Sequence, residues 1–199
     1  ETFKTIARYV NRRGIPYMRM YAFSTENWKR PQDEVASLME LLRNYLDEVE
    51  RYSEENIRIR FVGDLSVFDE DIRGKMERVQ KNSADSTGLT LNLAVNYGGR
   101  DEIVHAARKL AHLVQEGKIQ PEDINEELFA GNLYTNGEPD VDLIIRPSGE
   151  YRLSNFLIWQ SAYAEYVFMH EVLWPDFKPA HLEEALREYQ KRNRRFGGI

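Results

Sequence analysis

The sequence predicts an α/β protein with a central, mostly parallel sheet flanked by helices, the first strand of that sheet being absent from the chain. Three observations lead there. Short segments rich in β-branched and aromatic residues recur at 17–23, 57–62, 89–96 and 141–145, with a shorter one at 166–169. Helical patterns separate them, so the connections are long enough for parallel pairing with right-handed crossovers. The helix expected at 2–13 has no strand ahead of it.

Taken in order, the strand at 17–23 feeds a helix between residues 31 and 56, where Val35, Leu38, Met39, Leu42, Leu46 and Val49 fall on one stripe and Pro31 sets the first turn. That helix is unusually long for a crossover. The strand at 57–62 leads to a helix at 69–83, and the strand at 89–96 to helices at 101–115 and 121–130. Thr135-Asn136-Gly137-Glu138-Pro139 carries the densest turn chemistry. The strand at 141–145 is followed by a helix at 154–162, the strand at 166–169 and a last helix at 180–193. With no repeat and no low-complexity tract, 199 residues read as a single domain, 1–199, large enough to bury a core without disulfides.

The absence of cysteine excludes disulfides and thiolate metal sites and agrees with a reducing compartment, so a cytoplasmic protein is expected. A formal charge of −6 speaks against a general polyanion-binding surface, and nucleic acid is not an expected partner. No apolar run approaches the roughly 20 residues of a spanning helix, which leaves peripheral membrane contact at most.

In open parallel sheets ligands bind beyond the carboxyl ends of the strands, which directs attention to the residues after each one. After the first strand stands Ser24-Thr25-Glu26-Asn27-Trp28-Lys29-Arg30-Pro31, either a polar loop capping the next helix or a ligand loop in which Trp28 serves a ligand or lid. Packing of Trp28 over the core edge is the alternative. After the third strand, Asn96-Tyr97-Gly98-Gly99-Arg100 reads as a strand-to-helix turn requiring positive φ at glycine, or as a close backbone approach to an anion. After the fourth, Arg146-Pro147-Ser148-Gly149-Glu150-Tyr151-Arg152-Leu153-Ser154-Asn155 offers forked cations, a hydroxyl and helix-start amides, as a diphosphate site needs. Surface ion pairs of Arg146 and Arg152 with Glu150 are the rival reading. Glu165 is exposed, paired with an arginine, or a ligand of a hard cation such as Mg²⁺. His105, His112, His170 and His181 form no short metal motif and are read as structural or solvent-facing.

Three blocks in one order closely resemble the undecaprenyl diphosphate synthases, a family of cis-prenyltransferases: Tyr-Ala-Phe-Ser-Thr-Glu-Asn-Trp-Lys-Arg-Pro, Asn-Tyr-Gly-Gly-Arg, and Ile-Arg-Pro-Ser-Gly-Glu-Tyr-Arg-Leu-Ser-Asn-Phe followed by Glu165 and Leu-Trp-Pro-Asp-Phe. The resemblance covers essentially the whole chain. It implies a homodimer that condenses isopentenyl diphosphate onto an allylic diphosphate, farnesyl diphosphate being the expected one, with cis geometry and Mg²⁺ as cofactor. The long-chain product, such as undecaprenyl diphosphate, is a cell wall lipid carrier whose release implies peripheral membrane contact. Carried over by position, Arg146, Arg152 and Ser154 correspond to the isopentenyl diphosphate clamp, Leu153 to a further substrate-binding position and Glu165 to a Mg²⁺ ligand. Ser24, Thr25, Glu26, Asn27, Trp28 and Arg30 match the mobile substrate loop, with Asn27 given a part in the proton loss, and Glu34 matches its hinge. The tail Arg194-Arg195-Phe196-Gly197-Gly198 resembles one that reaches across the dimer. The family's Asp-Gly-Asn-Gly-Arg-Trp loop has no match in this sequence, so the complete protein is expected to extend upstream of Glu1. A non-catalytic partner subunit is the alternative function, and a generic phosphate-binding α/β enzyme is the reading that residue types alone support.

Overall fold

The computed structural model describes residues 1–49 and 54–192. The chain divides into two compact units, one formed by Val10–Asn136 and the other by Glu1–Tyr9 together with the chain from Gly137 onward. Among the described residues every strand pairing is parallel, and the strands form a three-stranded and a two-stranded sheet.

In the Val10–Asn136 unit the sheet order is β1 (Tyr17–Ser24), β3 (Thr90–Tyr97), β2 (Arg58–Val62). The central strand β3 is buried from Leu91 to Tyr97, including the polar Asn92 and Asn96, as a strand flanked on both sides is. Its register aligns Leu91 with Ile59 and Leu93 with Phe61, which puts these side chains on one face of the sheet. The outer edge of β2 is covered by side chains from α3 (Glu70–Asn82) and the residue that ends it. The Ile59 N–H donates to Ser83 Oγ at 3.0 Å and the Phe61 N–H to Gln80 Oε1 at 2.9 Å. This blunts an edge that would otherwise invite pairing with another chain. Ile72, Met76 and Val79 of α3 are buried at helical spacing.

Strand β1, at the other edge, is less enclosed. Its register skips from Tyr21↔Ala94 to Phe23↔Val95, and the bulged Ala22 is exposed while Phe23 is buried. The following helix, α2 (Gln32–Val49), buries only Leu46 and Val49, and the rest of the expected stripe, Val35, Leu38, Met39 and Leu42, stays half-exposed. It does not extend to residue 56, since Asn56 has left-handed backbone with φ 56°. After β3, Gly98 caps α4 (Gly99–Gln115). The helix expected at 121–130 is a 3-10 turn, Pro121–Asp123, and a short α5, Glu126–Ala130, capped by the Asn125 side chain on the Leu128 N–H at 2.8 Å.

In the other unit β4 (Leu143–Arg146) and β5 (Glu165–Phe168) pair in register. A two-stranded sheet is marginal without a packed face. Here α6 (Pro179–Gln190) buries Leu182 and Ala185, and the Tyr9 hydroxyl of α1 (Thr2–Arg12) donates to Glu183 Oε1 at 2.9 Å. The helix expected at 154–162 does not form. Ser154, Asn155 and Leu157 have φ of 51°, 64° and 46°, left-handed values that a right-handed helix cannot contain, and the segment is a series of turns. No helix among the described residues is long and apolar enough to cross a membrane.

Candidate functional site

The candidate residues fall in two groups, one in each unit. In the first, the carboxyl ends of three parallel strands converge: Ser24 of β1 lies in register with Tyr97 of β3, and Asp64, just past β2, donates its N–H to the Asn96 carbonyl at 3.4 Å. Gly63 makes this approach possible, because at φ 132° a Cβ there would lie 2.0 Å from the Val95 carbonyl oxygen.

From this end springs a 3-10 turn, Thr25–Lys29. Asn27 folds back so that its Oδ1 accepts the Ser24 N–H at 2.7 Å, leaving the amide N–H₂ as the donor face. Trp28, 39% exposed, rests its ring against Phe23 and Phe68, with centroids 5.0 and 6.1 Å away, and its indole N–H donates to Asn96 Oδ1 at 2.7 Å. The core-edge reading of Trp28 therefore holds together with a specific polar tether. Thr25 Oγ1 donates to Glu26 Oε2 at 3.2 Å, and Arg30 pairs with Glu34 at 3.3 Å on an exposed helix start. The positive φ expected at glycine in Asn96-Tyr97-Gly98-Gly99-Arg100 falls on Asn96 instead, at 44°, and Gly98 is extended at φ −153°.

Beneath this corner lies a buried network that the sequence did not disclose. Glu102, 0% exposed, accepts the Tyr97 hydroxyl at 2.5 Å and the Tyr134 N–H at 2.9 Å. Its place in the first turn of α4 suits an anion at a helix N-terminus, and that acidic first turn was the available signal. The Tyr21 hydroxyl donates to the Tyr97 carbonyl at 3.1 Å, and burial, with Glu26 adding to it, pushes its pKa up to about 12. Burial likewise raises that of Tyr134, which also lies against the His105 ring with centroids 4.8 Å apart.

In the second group, Arg146 ends β4. Its Nη1 donates to Ser154 Oγ at 2.9 Å and to the Arg152 carbonyl at 2.5 Å, while Nη2 pairs with Glu150 Oε2 at 2.8 Å. Arg152 binds the same carboxylate oxygen. Arg146, Arg152 and Ser154 are thus brought together as expected, and Glu150 supplies the anion between the two guanidiniums, so the ion-pair reading and the clamp geometry coexist. The loop backbone is laced to the segment after β5: Ser148 N–H to Val172 O at 2.8 Å and Gly149 N–H to Met169 O at 2.9 Å. The helix-start amides expected beside the clamp are not there, since no helix begins at Ser154. Leu153 is half-buried and gives its carbonyl to the Phe156 N–H at 3.2 Å. Tyr151 packs on His170, ring centroids 4.9 Å apart, and its hydroxyl bonds the imidazole.

Glu165 is not beside the clamp. It opens β5 opposite Leu143, whereas Arg146 lies opposite Phe168. Three residues of strand put about 10 Å between the two ends. Its carboxylate pairs with Arg192 at 2.8 Å, and that bond is the main reason the Arg192 pKa is raised. Arg192 also binds Glu188 and the Tyr166 carbonyl, a role that no motif signalled. Mg²⁺ asks for one or two carboxylates together with substrate phosphates, and Glu165 is a donor of the right type. Among the described residues no group of three His, Asp or Glu is placed to hold a metal, and Glu165 would have to release Arg192. His181 is structural, its Nδ1 accepting the Lys178 N–H at 3.0 Å at the start of α6. The basic tail at 194–198 lies outside the described residues.

The prenyltransferase family model, described by undecaprenyl diphosphate synthase, matches residues 1–197. The chain is 47% identical over 200 residues to an isoprenyl transferase of Clostridium tetani, covering 100% of this chain and 78% of that one. It is 46% identical over 191 residues to a ditrans,polycis-undecaprenyl-diphosphate synthase, (2E,6E)-farnesyl-diphosphate specific, of Pasteurella multocida, covering 96% and 79%. Among solved structures it matches lavandulyl diphosphate synthase from Lavandula x intermedia in complex with dimethylallyl diphosphate, with a TM-score of 0.94 at 37% identity, covering 98% of this chain and 85% of that one.

Proposed function

The chain belongs to the undecaprenyl diphosphate synthase family of prenyltransferases, and from that premise we propose that this cis-prenyltransferase joins isopentenyl diphosphate to farnesyl diphosphate and extends the product to a long-chain polyprenyl diphosphate. The observation that carries the substrate assignment is the convergence of Arg146 and Arg152 on one carboxylate oxygen of Glu150, with Ser154 held against Arg146. Two guanidiniums already organised around an anion, with a hydroxyl beside them, suit a diphosphate, which offers more acceptor oxygens and more charge than Glu150 does. A non-catalytic scaffold has no need of that arrangement.

In the reaction the allylic C–O bond breaks as diphosphate leaves, the terminal alkene carbon of isopentenyl diphosphate forms the new C–C bond, and a proton departs from its C2. An amide is a poor base, and Asn27 has its oxygen already engaged by the Ser24 N–H. In this reading Asn27 therefore orients isopentenyl diphosphate through its N–H₂ donors, and a diphosphate oxygen or water accepts the proton. Glu165 would be one oxygen donor to Mg²⁺, which when bound would supply charge to offset that of the departing diphosphate. The half-exposed apolar residues of α2, Val35, Leu38, Met39 and Leu42, and Met18 and Met20 of β1, are the surface proposed to receive the growing chain. Leu91, Leu93 and Val95 of β3 are fully enclosed and serve the core.

The test is incubation of the purified protein with labelled isopentenyl diphosphate, Mg²⁺, and either farnesyl or dimethylallyl diphosphate, followed by chromatography of the products. Long-chain label with farnesyl diphosphate supports the proposal, a single short condensation with dimethylallyl diphosphate alone replaces it, and no turnover favours a partner subunit. The homodimer is part of the same proposal, and light scattering at micromolar concentration that finds only monomer refutes it.

A further inference from the structure

The Trp28–Asn96 hydrogen bond ties together two blocks of sequence 68 residues apart, and Asn96 is an unusual residue to find at its position. It is 4% exposed and holds φ 44°, a left-handed conformation in which asparagine is far more tolerable than branched or bulky residues. Its side chain is used at both ends: Oδ1 accepts the indole N–H of Trp28 at 2.7 Å, and Nδ2 donates to the Asp64 carbonyl at 2.8 Å. Its own carbonyl accepts the Asp64 N–H. Asn96 is thereby fixed to the end of β2 before it reaches for Trp28, and Tyr97, the next residue, is held from below by Glu102. The Thr25–Lys29 turn is consequently fastened twice, by Asn27 onto its own start and by Trp28 onto a rigid corner of the sheet.

We infer that Asn96 is a positioning residue for the reaction: through Trp28 it latches the Thr25–Lys29 turn and so fixes the place from which Asn27 addresses the substrate. The inference rests on the proposed role of that turn in binding isopentenyl diphosphate. Three demands meet at this one position, a left-handed backbone, an acceptor and a donor. Asparagine satisfies all three. Aspartate keeps the shape and the acceptor but loses the donor to Asp64 and brings a charge into an enclosed site. Glycine keeps the backbone and loses the latch.

The test uses the whole protein and the variants Asn96→Gly, Trp28→Phe and their double. Trp28→Phe keeps a ring against Phe23 and Phe68 while deleting the indole N–H. Amide hydrogen exchange in the peptide spanning the turn is expected to quicken in both single variants, by about fivefold for the one hydrogen bond lost in Trp28→Phe and by at least as much in Asn96→Gly, which also gives up its donor to Asp64, with exchange in α3 unmoved. In steady-state kinetics each single variant is expected to lose roughly fivefold in kcat/KM for isopentenyl diphosphate, and the double variant no more than the worse single, because both substitutions break the same link. Turn exchange that stays at the wild-type rate in Asn96→Gly overturns the latch. Kinetic losses that multiply in the double variant show that Asn96 does not act through Trp28. A wild-type protein without prenyl transfer would refute the proposed function, and the exchange measurement would still decide the latch.

Discussion

Arg146 and Arg152 are not equivalent, although the sequence presents them as a pair. Arg146 is the more enclosed and holds Ser154, Glu150 and the Arg152 carbonyl, while the Arg152 side chain is 61% exposed and pairs with Glu150. On the proposed clamp, Arg146→Ala therefore removes a substrate contact, and it also releases the loop. It is expected to raise the KM for isopentenyl diphosphate roughly ten- to a hundredfold, the range of a charge-assisted hydrogen bond, with Arg152→Ala at the lower end of that range. The KM for the allylic substrate should hardly change in either variant, and equal effects on both substrates in initial-rate measurements would refute the assignment. The place of Arg146 at a strand end was legible in the sequence because a β-branched run ends directly in it, and Arg152 and Ser154 follow in the loop beyond. The pairing of Glu165 with Arg192 was legible only as one of three alternatives, since its partner lies 27 residues away in a segment with no motif.

At the scale of elements, strands were easier to read than the connections between them. All five strand segments fall close to the observed β1 to β5, because β-branched and aromatic residues mark a pleated, half-buried surface whatever its neighbours. The helix expected at 154–162 failed because its apolar spacing is genuine but its backbone is not free: Ser154, Asn155 and Leu157 all adopt left-handed φ, which side-chain periodicity does not reveal. The β1–β3 contact yields a pH prediction. The Tyr21 hydroxyl is pushed from 10.0 up to about 12 in the folded protein, so between those values the unfolded chain releases a proton that the native protein retains. The stabilisation from this group is complete below pH 10 and lost as pH rises towards 12. Tyr21→Phe should accordingly flatten the alkaline fall in stability measured by urea unfolding between about pH 9 and pH 11, limits chosen around the ordinary tyrosine value. An unchanged slope would show that Tyr21 does not cause it. β5 carries another: Glu165→Gln should raise the Mg²⁺ concentration needed for half-maximal rate about tenfold or more, as loss of a carboxylate donor to a hard cation requires. An unaltered Mg²⁺ dependence would leave Glu165 as the anchor of Arg192 and nothing more.

For the molecule as a whole, the proposed clamp makes ligand binding a stability measurement that needs no turnover. Isopentenyl diphosphate bound only by the native protein stabilises it by RT ln(1 + [L]/Kd), about 2.7 kcal/mol at a hundredfold excess over Kd. For a chain of this size each kcal/mol moves the melting temperature by roughly 2–4 °C, so the expected shift is about 5–11 °C at fixed protein concentration. In Arg146→Ala, with affinity lowered roughly ten- to a hundredfold, the same ligand concentration would supply only about 0.4–1.4 kcal/mol and a correspondingly smaller shift. The two compact units sharpen the readout, because Arg146, Glu150, Arg152 and Ser154 all belong to the one that contains β4 and β5. If the units melt in separate transitions, the transition of that unit should move with ligand. Calorimetry in which isopentenyl diphosphate shifts the transition of wild type and Arg146→Ala equally, or shifts only the transition of the Val10–Asn136 unit, would mean that the diphosphate binds elsewhere.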